Sequence, residues 1–215
     1  MTVRISIEDH PLLDAAAFTA ETPQPLAEMA SPPDLLALLD LEAQAPFERE
    51  ETLRQAVRDL LRHGGYRPTG RGKPASEYLV KAVGDGRLGS INPVVDACNV
   101  ASLHSGLPIS VVDLDRADGS LSIRIAAPDT EYVFNQGGQS IDVSGLLCLF
   151  DGQGPCANAV KDSQRTKTSG STQHVLAVVW GTRSSEGRAA AVADWYRQLF
   201  DAMGIATADV ALDRA

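Results

Sequence analysis

Apolar and polar positions alternate at the start of the chain, where Val3, Ile5 and Ile7 predict a short strand over residues 2–7. From about residue 20 to 46 that order is lost. Prolines recur at 23, 25, 32, 33 and 46 around one apolar run, DLLALLDLEA, which predicts an N-terminal helical arm with breaks. Pro46 then opens a helix in which Leu53, Val57, Leu60 and Leu61 fall at i, i+4, i+7 and i+8, ended by Gly64-Gly65. YRPTGRGKP, residues 66–74, reads as a loop, after which Ser76 is expected to cap a short helix, SEYLVKAVGDG. Asn92 as N-cap and Pro93 as first helical residue predict a helix over residues 93–104, stopped by Gly106 and Pro108. Val94, Cys98 and Ala101 form its apolar face, and Asp96 and Asn99 are i,i+3 neighbours on the adjacent stripe.

Strand signals follow in series: residues 109–113, 121–126 after the Asp118-Gly119 turn, 131–134, 146–150 and 175–180. Short strands separated by turn residues predict antiparallel pairing, because parallel pairs need crossover connections. Ser184 or Ser185 is expected to cap an amphipathic helix carrying Val192, Trp195, Tyr196, Leu199 and Met203, closed by Gly204. A final IATADVAL reads as an edge strand. The expected architecture is α+β, a β barrel or sandwich flanked by helices, forming a single compact domain.

Composition narrows the function classes. The 215 residues carry a formal net charge of −9, which repels phosphate backbones at long range but permits a local basic patch. Arg71, Lys73 and Lys81 form one candidate cluster, and Lys161, Arg165 and Lys167 another; either is equally read as solvated surface. No apolar run approaches the ~18 residues a membrane span needs, and MTVRISIEDH lacks the pattern of a secretory leader. Three cysteines without CxxC spacing argue for buried thiols in a reducing cytoplasm, against a disulfide framework or a zinc site.

Motifs exclude more than they assign. GRGK is no phosphate loop, since Arg67 stands where the pattern needs glycine and Pro74 where it needs Ser or Thr. There is no GxSxG, HExxH or dinucleotide fingerprint, so neither a metal nor a cofactor is expected. One polar concentration remains, NAVKDSQRTKT from Asn158, between the apolar runs LLCLF and VLAVVW. Asp162, Ser163, Arg165 and Thr166 there are candidate hydrogen-bonding groups and Lys161 a candidate phosphate contact at a barrel mouth. The plainer alternative is a solvated loop bonding its own backbone.

The order SEYL, INPVVDACNVASLHSGLPISVVDLDRADGSLSIRIA, LCLFDGQGP resembles the B3/B4 domain of the bacterial phenylalanyl-tRNA synthetase β subunit. The matching residues are Val95, Asp96, Asn99, Gly106, Pro108, Asp113, Leu114 and Asp115. The resemblance implies a Greek-key barrel with helices over residues 66–215, on which the strand and helical arm of residues 1–65 pack. It further implies a free-standing tRNA quality-control protein that hydrolyses a mischarged aminoacyl-tRNA in trans, or else a non-catalytic module binding RNA or an amino-acid-like ligand in the same pocket. Asn99 then corresponds to the family's pocket asparagine. Ser110 stands where the synthetases carry histidine, and Ala177 where they carry glutamate. Asp162, as the group orienting water, and Asn158 become the catalytic candidates. Asn99, Ser110, Lys161, Ser163, Arg165 and Thr166 become the substrate-binding ones.

Overall fold

The computed structural model describes residues 2–214. Strands β1 (Arg4–Ile7) and β2 (Leu13–Glu21) open the chain, followed by helices α1 (Pro33–Ala37), α2 (Glu51–Arg62), α3 (Ala75–Gly84) and α4 (Pro93–Ser105). Six strands come next: β3 (Ile109–Asp113), β4 (Leu121–Ile125), β5 (Glu131–Val133), β6 (Ser140–Asp142), β7 (Leu147–Asp151) and β8 (Gly154–Asn158). The chain then completes β9 (His174–Thr182), α5 (Arg188–Asp201), β10 (Ala206–Asp209) and β11 (Ala211–Arg214).

The strands assemble into a five-stranded sheet, β11-β1-β4-β7-β8, a four-stranded sheet, β10-β2-β9-β3, and a separate β5-β6 ribbon. The fold is mixed α+β, and strand pairing closes no barrel among the described residues. β1 runs parallel to both its neighbours, β4 and β11, which departs from the antiparallel expectation. The long helical crossover that parallel pairing requires is present, since α1 to α4 all lie between β1 and β4.

β9 lies between β2 and β3 and is buried from Val175 to Thr182, which explains its unbroken apolar run. Helices α4 and α5 pack on this sheet and on each other. Phe18 of β2 meets Tyr196 and Phe200 of α5 in edge-on contacts with ring centres 5.1 and 5.8 Å apart. The Tyr196 hydroxyl, buried with its ring, donates to the carbonyl of Val94 at 3.0 Å and so ties α5 to the first turn of α4.

α4 forms as its end signals dictate. The Asn92 side chain accepts from the N–H of Val95, Pro93 occupies the first turn, and Gly106 closes the helix in the left-handed region. Three other expected helix starts are corrected. α2 begins after Glu50 rather than at Pro46; Pro74, not Ser76, precedes α3; and α5 starts after Gly187, with Ser184 and Ser185 in a separate turn. Proline at 74 already presets the entry to α3, so Ser76 sits inside the helix and is buried.

β2, β6 and β8 are strands that periodicity did not predict. The alanine-rich LDAAAFTAE of β2 favours a helix locally, but pairing with β9 along nine residues overrides that preference. The final IATADVAL becomes two short strands in different sheets. No helix among the described residues is long and apolar enough to cross a membrane.

Candidate functional site

A cleft of about 280 Å³ opens between α3 and α4. Cys98, Asn99 and Ser102 of α4 form its floor, Ile109 and Val160 one wall, and Tyr78, Leu79 and Leu88 the other. Arg71, Lys73 and Lys161 stand at its mouth. Its surface is largely apolar, as expected for a small-ligand site with few polar anchors.

Among those anchors Asn99 stands apart. Ser102 Oγ donates to the carbonyl of Leu107 at 2.7 Å, and Cys98 Sγ lies 3.7 Å from the carbonyl of Ile109. The Asn99 amide, by contrast, makes no hydrogen bond to any described residue. It brings two donors and an acceptor to the cleft unspent. The neighbouring helix polar residue has the opposite fate. Asp96 is fully buried and accepts from Ser31 Oγ at 2.6 Å, Ser90 Oγ at 2.5 Å and the N–H of Ile91 at 2.9 Å. It ties the N-terminal arm and the α3–α4 loop to α4.

The polar segment after β8 is mostly bonded to itself. Asn158 Oδ1 accepts from the N–H groups of Val160 and Lys161 at 2.8 and 2.9 Å, and its Nδ2 donates to the Tyr132 hydroxyl. That hydroxyl in turn donates to the carbonyl of Lys161. Asp162 Oδ1 accepts from Ser110 Oγ at 2.7 Å and from the N–H of Asn158 at 3.2 Å. Ser110 Oγ also accepts from Trp180 Nε1 at 2.9 Å. Ser163 caps the turn Gln164–Thr166, and Thr166 Oγ1 donates to the carbonyl of Cys156 at 3.2 Å. Arg165 is paired with Asp151.

Asn99 and Lys161 are thus the two expected site residues that line the cleft. Ser110, Ser163, Arg165 and Thr166, also expected as ligand contacts, are held by bonds within the protein and lie off the lining of this cleft. Asn158 and Asp162 also lie off that lining, and their bonds fix the turn that presents Lys161. Ala177, fully buried in β9 opposite Phe18 and Val111, does not reach the cleft either.

Electrostatics distinguish the groups. Burial pushes the Asp162 carboxyl up to about 6, against the pull of Ser110 and the N–H of Asn158. Burial, reinforced by Arg71 and Lys167, holds the Lys161 ammonium below the usual lysine range. Its Nζ sits 3.9 Å from the centre of the Phe134 ring. Among the described residues, neither a carboxylate nor a histidine lines the cleft.

Sequence reasoning named Arg71 and Lys73 but missed Tyr78 and Leu79 of α3 and Leu88 beyond its end, which line the cleft. It also missed Tyr132 and Phe134, which the β5–β6 ribbon brings against Lys161. A lone aromatic in a short strand carries no local signal of its tertiary partner.

A family model described as B3/4 domain matches residues 68–192. The phenylalanine–tRNA ligase β subunit of Photorhabdus laumondii is 29% identical over 101 residues, covering 46% of this chain and 13% of that subunit. The Yersinia pestis subunit of the same name is 32% identical over 88 residues, covering 40% and 11%. The chain therefore matches only a small part of the length of these relatives. Among solved structures, an N-terminal fragment of the phenylalanyl-tRNA synthetase β subunit from Pyrococcus horikoshii superposes with a TM-score of 0.54. That match covers 100% of this chain and 52% of the fragment at 9% identity, a likeness of fold.

Proposed function

This chain belongs to the B3/4 domain family, and from that membership we propose that it acts in tRNA quality control, hydrolysing a mischarged aminoacyl-tRNA in trans. The observation that carries the proposal is the unbonded Asn99 amide on the floor of an apolar cleft, with Lys161 at the rim. The apolar walls would take the amino-acid side chain. The Asn99 amide would orient the ester carbonyl, and the Lys161 ammonium would stabilise the negative charge that develops as water attacks. Water adds to the carbonyl carbon, the ester C–O bond breaks, and the free amino acid and the ribose hydroxyl leave. Asp162 and Asn158 would act by positioning Lys161.

The test is a deacylation assay across a panel of mischarged tRNAs. Wild-type protein should accelerate hydrolysis of at least one member, and Asn99→Ala and Lys161→Ala should each slow it at least tenfold. A panel hydrolysed no faster than in buffer would sink the proposal.

One observation favours a second reading, a binding module without turnover: among the described residues, the cleft lining holds no carboxylate or histidine to serve as general base. On that reading the protein binds an amino-acid-like ligand or aminoacyl-RNA and leaves the ester intact. Calorimetric binding with an unchanged ester would establish it.

A further inference from the structure

A second opening, of about 360 Å³, adjoins the Asn99 cleft, and Arg71 and Lys161 line both. Its walls come from two segments, the loop carrying Tyr66, Arg67 and Arg71, and the β5–β6 ribbon with Phe134 and Gln139. The loop takes this path because of glycine. A Cβ at Gly72 would overlap the Tyr66 hydroxyl, and Gly70 lies at φ +54°.

Cations without a carboxylate partner gather here; among the described residues Arg49, Arg116, Arg124 and Arg183 also lack one, but none of them lines this opening. Arg54, Arg58, Arg62, Arg165, Arg188 and Arg197 each have a carboxylate partner. Arg67, Arg71 and Lys161 have none among the described residues, in a chain of net charge −9. The lining contains one carboxylate, Asp142, whose Oδ1 is already engaged by the N–H of Ser144 at 2.8 Å. Lys167 adds a fourth cation alongside, its Nζ donating to the carbonyl of Phe134 at 2.5 Å. Gathering four cations round one opening lined by a single carboxylate costs mutual repulsion, which a bound anion relieves.

We infer that this basic compartment binds a phosphate group on the same ligand whose apolar acyl part occupies the Asn99 cleft, so that Lys161 and Arg71 sit between its two ends. The ligand class is an acylated ribose bearing a phosphate, supplied either as a free nucleotide or as the end of an RNA. The inference rests on the proposed reading of the Asn99 cleft as an acyl site, and its own content is the phosphate.

Heteronuclear NMR on the intact protein at low salt tests it with four probes: inorganic phosphate, AMP, a non-hydrolysable 3′-aminoacyl amide of AMP, and the same amide on a short RNA hairpin. Phosphate and AMP should shift amides of residues 66–73 and 134–142, with affinity falling as salt rises. Arg67 is exposed and lines only the basic compartment. Arg67→Glu should weaken AMP at least tenfold, whereas Lys81→Glu, the same charge change on exposed α3, should alter it less than twofold. The aminoacyl amide should bind more tightly than AMP and shift α4 signals as well. Tighter binding of the hairpin than of the nucleotide identifies RNA as the source, and equal binding identifies the nucleotide.

Absence of shifts at millimolar phosphate and AMP, or equal weakening by Lys81→Glu, overturns the inference. If an apolar amino-acid amide still shifts α4 signals in that case, the acyl reading of the cleft survives alone. If phosphate binds but no acyl group shifts α4, the phosphate site stands and the acyl reading falls.

Discussion

The guanidinium of Arg165 meets the buried carboxylate of Asp151 through two hydrogen bonds, each 2.7 Å long. The carboxylate also accepts from the N–H groups of Asp118 and Gln153 at 3.0 and 2.9 Å. One pair therefore closes the β7–β8 turn, the turn after β3 and the polar segment onto a common point. Arg165, a candidate ligand contact by sequence, fastens these segments together, whereas Arg67, Arg71 and Lys161 have no carboxylate partner among the described residues.

Arg165→Ala would leave the Asp151 carboxylate buried with backbone donors only, and should destabilise the protein by about 3 kcal/mol at pH 7. Burial works to raise that carboxyl, and Arg165 with the two N–H groups outweighs it, holding it below the usual range. A carboxyl lowered in the fold contributes stability above its unfolded pKa and loses it as pH falls through the folded one. The difference between variant and wild type should therefore shrink below about pH 4, as chemical denaturation at several pH values will show.

Asn99→Ala should separate binding from stability. The amide makes no bond within the described structure, so the denaturation midpoint should shift by less than about 0.5 kcal/mol equivalent. Ligand affinity measured by calorimetry should fall about tenfold, the worth of one lost hydrogen bond in a largely apolar cleft. A large loss of stability with unchanged affinity would show the side chain to be structural.

Ser110 is 1% exposed and hemmed in by Trp180, Asp162 and the carbonyl of Asn158. Ser110→Ala strands a buried indole N–H and should cost about 1–3 kcal/mol. Ser110→His, which places the synthetase residue here, should cost about as much by overpacking and bring no hydrolytic activity. Faster deacylation by the histidine variant would show instead that position 110 reaches substrate.

Asp162 and His10 should produce opposing pH dependences. Burial pushes the Asp162 carboxyl up to about 6, while burial, with His63 and Arg183 close by, takes the His10 imidazole down to about 4. A carboxyl raised in the fold loses stability as pH climbs from about 4 to 6. A histidine lowered in the fold contributes fully above pH 6.5 and loses that contribution as pH falls toward 4. Relative to wild type, Asp162→Asn should gain about 2 kcal/mol at pH 7 and nothing at pH 4. The stability of His10→Gln relative to wild type should rise as pH falls from 6.5 to 4. Urea midpoints that run parallel to wild type across this window would remove both assignments.

Gly64 and Gly145 approach so closely that a Cβ on either would overlap the other's backbone carbonyl oxygen. Backbone cannot move aside as a side-chain tip can. Gly64→Ala should therefore cost at least about 2 kcal/mol in thermal or chemical denaturation, far beyond the value for an exposed helix-end glycine.

Elements whose determinants lie within a few residues were legible in the chain. α4 is fixed by Asn92, Pro93 and Gly106, and β3, β4, β7 and β9 by apolar runs ended at turn residues. β2 was not legible, because its alanines favour a helix until β9 and β10 supply hydrogen bonds on both sides. The parallel place of β1 between β4 and β11 joins residues more than a hundred positions apart, and no local pattern encodes it.

The same division runs through the site. The helix bearing Asp96 and Asn99, and the family resemblance it carries, follow from sequence alone. What those two polar residues do was decided by tertiary structure. Ser31 and Ser90 come to Asp96 and occupy its acceptors, whereas no described residue hydrogen-bonds the Asn99 amide and α3 walls a cleft over it. Likewise Asp151 claims Arg165, whereas Lys161 lies over the Phe134 ring with no carboxylate partner among the described residues. Sequence fixes which groups can donate, accept or carry charge. Only folding decides which are satisfied internally, because the partners that satisfy them arrive from distant parts of the chain.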